Sequence, residues 1–151
     1  MTQRDLDLRR LQTQALVDLA RIRHASERLV EGWLREQGLD ITPAQANALL
    51  VLVNARRPMS QAELARELSL SEVTVGRFVR AMEEGGWVER ARAPQDARVL
   101  LLLPTPEARA MLPRFIAVSN QLVDQAFAHL SDEAIERVTR CLAAIRANLD
   151  P

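Results

Sequence analysis

The sequence predicts a mainly α-helical fold that contains one small β-hairpin. Three observations carry this prediction. Apolar residues recur at steps of three and four near both ends of the 151-residue chain, which is typical of amphipathic helices. Two helix-capping signals, Ser60 and Ser71, lie close together in the middle. Two strand-like runs follow Gly86. We therefore expect a winged helix-turn-helix core over about 42–104, between long flanking helices, as one domain covering 1–151.

The first predicted helix spans about 5–37 and ends before Gly38. One face of this helix follows the spacing Leu8, Leu11, Ala15, Leu19, Ile22, Ser26, Leu29 and Trp33, in steps of three and four. Such a helix is more than about 40 Å long at 1.5 Å per residue. This length exceeds what a domain of this size needs to cover its own core, so the helix is expected to meet a second copy of the chain.

Three shorter elements are predicted in the middle of the chain. Thr42-Pro43 caps a helix that runs to about Ala55 and is closed by Arg57-Pro58. The capping box Ser60-Gln61-Ala62-Glu63 begins the next helix. Ser71 caps a third helix, which ends near Gly85-Gly86. Two short helices joined by so tight a turn form a helix-turn-helix.

A hairpin is predicted directly after this motif. Trp87–Arg90 is strand-like, Ala93–Asp96 is turn-like, and Arg98–Leu103 is a second strand ended by Pro104. A hairpin in this place forms the wing of a winged helix.

The last third of the chain, about 106–149, predicts two more helices. Thr105-Pro106 opens one, and Ser131 caps the other, which carries the apolar stripe Ile135, Val138, Leu142, Ile145 and Leu149. Pro113 lies inside the first of these helices. It either kinks that helix or marks its true start, and the sequence alone does not decide between the two.

The central run ELARELSLSEVTVGRFVRAMEEGGWVER, followed by APQDARVLLLLPTPEARAML, resembles the multiple-antibiotic-resistance regulator (MarR) family of winged-helix repressors. The matching features are Glu63-Leu64-Ala65, Leu70-Ser71, Val75, Arg77, Val79, Gly86-Trp87-Val88-Glu89-Arg90, Asp96-x-Arg98, and Leu103 with Thr105. The flanking helices match the family's dimerisation helices in position and length. The resemblance implies a homodimer that binds a pseudo-palindromic operator in double-stranded DNA and responds to a small anionic or aromatic effector.

The DNA-binding residues are expected on the helix after Ser71 and on the wing. Val75, Val79 and Met82 form a buried stripe, which leaves Thr74, Arg77 and Arg80 facing outward. The helix N-termini at Gln61 and Ser71 offer free N–H groups to phosphate. On the wing, Asp96 and Arg98 are two apart on one expected strand, so the carboxylate is expected to hold the guanidinium.

Some residues depart from the family's pattern. Val73, Gly76 and Ala97 stand where relatives often carry polar or basic residues. Between Ser60 and Pro104, six arginines stand against seven acidic residues, which predicts modest non-specific affinity for DNA.

The effector is expected in a cleft between the dimerisation helices and the winged helix. Arg23, His24 and Trp33 are the ligand-binding candidates by position only, and a tryptophan on this apolar face is more often part of the core. Cys141 lies in the last helix. We expect it to be a buried packing residue rather than a redox sensor.

Composition argues against most other classes of function. The chain has only two histidines and one cysteine, which predicts no metal site, no cofactor and no catalytic residues, so we expect no enzyme. It shows no secretory signal and no apolar run long enough for a bilayer, and its lone cysteine fits a reducing compartment, so we expect a cytoplasmic protein. The net charge of zero leaves one alternative open, a winged helix that binds protein instead of DNA.

Overall fold

The computed structural model describes residues 2–149. The elements follow the order α1 (Gln3–Glu36), α2 (Pro43–Asn54), β1 (Met59–Ser60), α3 (Gln61–Leu68), α4 (Glu72–Glu84), β2 (Val88–Arg92), β3 (Leu100–Pro104), α5 (Pro106–Ala126) and α6 (Asp132–Leu149). The predicted fold class, mainly α with a hairpin wing, is confirmed. Over residues 2–149, no helix combines the length and the apolar character that a membrane span requires.

The five predicted caps are all present. Thr42 and Ser60 form full capping boxes with Gln45 and Glu63, so each cap residue and its partner three residues on satisfy one another's backbone N–H. The hydroxyls of the other three caps accept from the backbone N–H three residues on, as in Ser71 with Thr74, Thr105 with Ala108, and Ser131 with Ala134. These local bonds fix where each helix begins.

The sheet has three antiparallel strands in the order β1-β3-β2. Strand β1 was not predicted because it has only two residues, Met59 and Ser60, which pair with Leu102 and Leu101. The predicted strand bounds were also wrong. The first strand begins at Val88 instead of Trp87 and runs to Arg92, and the second begins at Leu100 instead of Arg98. The reason is that residues 93–99 form the loop of the wing.

The core lies where α2, α3, α4 and the sheet meet the end of α1 and the first part of α5. Its largest fully buried side chains are Leu34, Leu49, Leu52, Leu64, Val75, Val79, Met82 and Leu102. Helix α5 adds Ala108, Phe115 and Val118. Pro113 lies inside this helix, which begins at Pro106, so Pro113 does not mark its start. The helix continues through Pro113 because buried residues anchor it on both sides.

The helices at the two ends carry apolar side chains that their own chain does not cover. Leu8, Leu11, Leu16 and Ile22 on α1 are each more than half exposed, and Leu34 is the only buried residue of that helix. None of the described residues of α6 is buried. Cys141 is exposed, so its predicted burial is wrong for the single chain, because nothing in residues 2–149 covers this helix face.

Candidate nucleic-acid interface

Helices α3 and α4 are joined by a tight turn. Ser69 ends α3 in the left-handed conformation (φ 53°), and its N–H and that of Leu70 donate to the carbonyls of Arg66 and Ala65. Ser71 then caps α4. Because Val75, Val79 and Met82 are buried as predicted, the opposite face of α4 is turned to solvent.

This outer face of α4 borders a shallow open groove. Its lining residues are Gln61, Glu72, Val73, Gly76, Arg77, Arg80, Ala81, Glu84 and Arg90. Arg77 and Arg80 are exposed, and neither has a carboxylate within 4 Å in residues 2–149. We call this surface the α4 groove. Its two unpaired guanidinium groups are available to an anionic partner.

Gln61 connects the two helices instead of pointing freely outward. Its Nε2 donates to the carbonyl oxygen of Glu72 at 3.2 Å. A Cβ at position 76 would lie 3.0 Å from that nitrogen. Gly76 therefore makes room for the Gln61 amide, and this is a physical reason for a glycine in the middle of α4.

The two hydroxyls at the start of α4 bond mainly to each other. The Ser71 Oγ accepts from the Thr74 backbone N–H at 3.2 Å and lies 2.9 Å from the Thr74 hydroxyl. Thr74 is half-buried. This predicted site residue thus takes part in the cap, and any contact with DNA would share its hydroxyl with Ser71.

Asp96 and Arg98 are in contact, as expected, but for a different geometric reason. Both lie in the wing loop and not on a strand. The Asp96 Oδ1 accepts from the backbone N–H of Arg98 at 3.0 Å and from its Nε at 3.2 Å. This is an Asx-type turn, in which a carboxylate bonds two residues ahead. The Arg98 side chain is 92% exposed, so it projects from the wing into solvent.

Three further contacts hold the wing. The guanidinium of Arg92 donates to the Ala97 carbonyl at 2.8 Å, across the loop. Arg90 on β2 pairs with Glu83 on α4 at 2.8 Å. The Thr105 hydroxyl donates to the Gly86 carbonyl at 2.8 Å. These contacts join residues 5, 7 and 19 positions apart and depend on how the hairpin folds back, which is why the spacing of the sequence did not reveal them.

The N-terminus of α3 is held by an ionised carboxylate. Hydrogen bonds from the Ser60 backbone N–H and, to a smaller extent, the nearby Arg57 guanidinium lower the pKa of Glu63 below its ordinary value. Glu63 therefore stays charged in its capping role at neutral pH.

A separate apolar cavity of about 260 Å³ lies between α1, α2 and α5. Its lining residues are Ser26, Glu27, Val30, Leu34, Pro43, Ala46, Asn47, Leu50, Phe115, Val118, Ser119 and Leu122. Glu27 is the one charged residue among them. We call this the α1–α5 cavity.

The three predicted ligand residues do not line this cavity. Arg23 and His24 are exposed on α1 and approach the Glu27 carboxylate, at 3.1 Å and 3.9 Å. Trp33 packs half-buried against the core, roughly 14 Å further along the helix axis than His24 at 1.5 Å per residue. The structure thus places Arg23 and His24 beside the cavity rim and separates Trp33 from them.

The chain is similar in sequence to known transcriptional regulators. A family model described as the MarR family matches residues 39–99. The HTH-type transcriptional regulator YdgJ of Bacillus subtilis, itself uncharacterized, is 26% identical over 102 residues, which are 68% of this chain and 62% of that protein. The chain thus spans less than two thirds of that relative. The HTH-type transcriptional repressor IacR of Pseudomonas putida is 25% identical over 132 residues, or 87% of this chain and 77% of that protein.

A solved structure shares the fold. A mutant of MarR from E. coli, complexed with operator DNA, superposes with a TM-score of 0.76 at 23% identity, over 84% of this chain and 89% of that chain. Because the curated relatives are named as transcriptional regulators, they agree with the expectation that the chain is not an enzyme.

Proposed function

We propose that the chain, whose residues 39–99 match a family model described as the MarR family, is a sequence-specific DNA-binding transcriptional regulator. In this proposal it acts as a homodimer on a pseudo-palindromic operator. The observation that carries the proposal is the α4 groove, where Arg77 and Arg80 stand exposed beside the Arg98-bearing wing. The E. coli structure with operator DNA supports the same use of this fold.

Five of the seven predicted DNA-binding residues have a direct contact in this proposal. A major groove about 12 Å wide admits one helix, and residues near its N-terminus reach the base edges. Arg77 and Arg80 then face guanine or phosphate. The N-termini of α3 and α4, at Gln61 and Ser71, face phosphate. Arg98 enters the adjacent minor groove, whose negative potential is greatest where A·T pairs narrow it.

The proposed dimer uses the uncovered faces of the terminal helices. The exposed apolar side chains of α1, α5 and α6 include Leu11, Ile22, Ile116, Val123, Val138 and Leu142. A second copy would remove this surface from water, which stabilises association in proportion to the apolar area buried. Two-fold symmetry then places the half-sites about one helical turn, 10 to 10.5 base pairs, apart.

We further propose that the regulator is a repressor that responds to a small ligand bound in the α1–α5 cavity. This cavity joins helices of the proposed dimer, α1 and α5, to α2 of the winged helix. Its lining is mainly apolar and includes Phe115, and its one charged residue is the acidic Glu27. The site therefore favours an aromatic ligand over an anion. A regulator of this kind acts on chromosomal DNA, so we propose a cytoplasmic location.

Titration of a labelled pool of mixed duplexes at two salt concentrations tests the proposal. A DNA-binding regulator releases counterions, so its affinity should fall steeply as salt rises. Arg77→Ala/Arg80→Ala is the matched variant and should show a shallower salt slope. Absence of salt-dependent binding in the unmodified chain would overturn the proposal and favour the alternative, a winged helix that binds protein.

A further inference from the structure

We propose that Val73 is a specificity-determining residue that contacts the 5-methyl group of a thymine in each operator half-site. This inference rests on the proposed function. It adds to that function by assigning base discrimination to Val73. The sequence analysis had identified this residue only as a departure from the family's pattern.

Val73 lies on the outer face of α4, near the start of the helix. Its side chain is 70% exposed and lies in the first turn of α4, directly after Ser71 and Glu72. Arg77 and Arg80 follow it by four and seven residues, so all three lie on one face of the helix. They line the same α4 groove. Val73 is thus the large apolar residue of the surface that would face the bases.

Folding of the single chain gives no reason for a valine here. A β-branched residue loses side-chain freedom in a helix and is a weaker helix former than alanine. At 70% exposure it buries little surface in return. Most other exposed large apolar residues lie on α1, α5 and α6, the helices assigned to contact with the second copy. Val73 instead lies in the α4 groove.

The chemistry of the major groove supplies the partner. Thymine is the base that presents a methyl group there, and small apolar side chains recognise it by contact. Val73 offers two methyl groups for this contact. Gly76 and Gln61 form the neighbouring wall without a bulky side chain at position 76.

The helix also fixes where the thymine should lie. Val73 and Arg77 are four residues apart, which is about 6 Å along the helix axis. Stacked bases are about 3.4 Å apart. We therefore expect the thymine one or two base pairs from the base or phosphate that Arg77 contacts.

Replacement of thymine by uracil, which removes only the methyl group, tests the contact directly. Duplexes selected from a random pool by the unmodified chain would carry deoxyuridine at one thymine position at a time, in both half-sites. Burial of one methyl group corresponds to about a fourfold change in Kd, so the paired substitution should weaken binding about 16-fold at one position. The other thymines serve as internal controls.

Val73→Ala completes the test. Alanine is a better helix former and the site is exposed, so this variant should fold as the parent does. Because its side chain is shorter, it should discriminate less than the parent between the thymine and uracil duplexes at the sensitive position, while keeping the parent's Arg77-dependent salt slope. Uniform tolerance of uracil, or equal sensitivity in Val73→Ala, would overturn this inference and leave the proposed function standing. Failure to select any duplex would overturn both.

Discussion

At the tip of the wing, Asp96 and Arg98 form an ion pair that lies in solvent. Exposed pairs of this kind contribute about 0–1 kcal/mol to folding. Their value for binding is different, because the Asx turn and the Nε contact at 3.2 Å restrict the freedom of a long side chain. Arginine otherwise loses up to about 2 kcal/mol of rotamer entropy when it is ordered.

Arg98→Ala is therefore expected to weaken operator binding by about 1–3 kcal/mol and to change the Tm hardly at all. Asp96→Ala should weaken binding less, since it removes the positioning and keeps the charge. Fluorescence anisotropy on one operator at fixed salt, with thermal melts alongside, measures both. Arg137→Ala, which removes an exposed ion pair on α6, is the control. An Arg98→Ala protein with the parent's affinity would remove the wing from recognition.

At the scale of elements, local sequence signals were sufficient to predict where the five capped helices begin. Each of the five caps is a Ser or Thr that bonds within three residues, so short stretches of sequence contain the whole interaction. The buried stripe of α4 followed from periodicity for the same reason.

Elements that depend on distant partners could not be predicted in this way. Strand β1 exists because Met59 meets Leu102, across more than forty positions of sequence. The continuity of α5 through Pro113 depends on the packing of Ala108 and Phe115 against the core. The prediction for Gln61 was also incomplete. Its amide reaches the Glu72 carbonyl because Gly76 leaves space, and the sequence around Gln61 does not show this.

The contact between α3 and α4 gives a prediction for Gly76→Ala. The new Cβ, 3.0 Å from the Gln61 Nε2, should displace the amide from the Glu72 carbonyl. The lost hydrogen bond, about 0.5–1.5 kcal/mol, and the gain in helix propensity, about 1 kcal/mol, nearly cancel in folding. Operator binding should weaken by roughly 1 kcal/mol, because Gln61 no longer holds the wall of the α4 groove.

A double-mutant cycle with Gln61→Ala is the control for this variant. In the Gln61→Ala background the added Cβ meets no amide, so Gly76→Ala should cost no further affinity. Anisotropy of the four proteins with one operator gives the coupling. An equal loss in both backgrounds would contradict the assigned role of Gly76.

At the scale of the whole molecule, the single chain leaves much of α1 exposed and buries none of the described residues of α6. This is why the burial of Cys141 could not be predicted from its helix pattern. An apolar stripe indicates that a face is covered but not by which chain. The proposed dimer accounts for this surface and places two copies of the α4 groove on one duplex.

Sedimentation of a fluorescent operator with the protein tests the central claim, that two copies joined through their terminal helices bind one operator. The complex should carry two chains of 17.0 kDa per duplex. Leu11→Glu, at a site 68% exposed in the single chain, should abolish that complex, whereas the neighbouring exposed substitution Gln12→Glu should preserve it. One chain per duplex, or an unaltered complex with Leu11→Glu, would contradict the account.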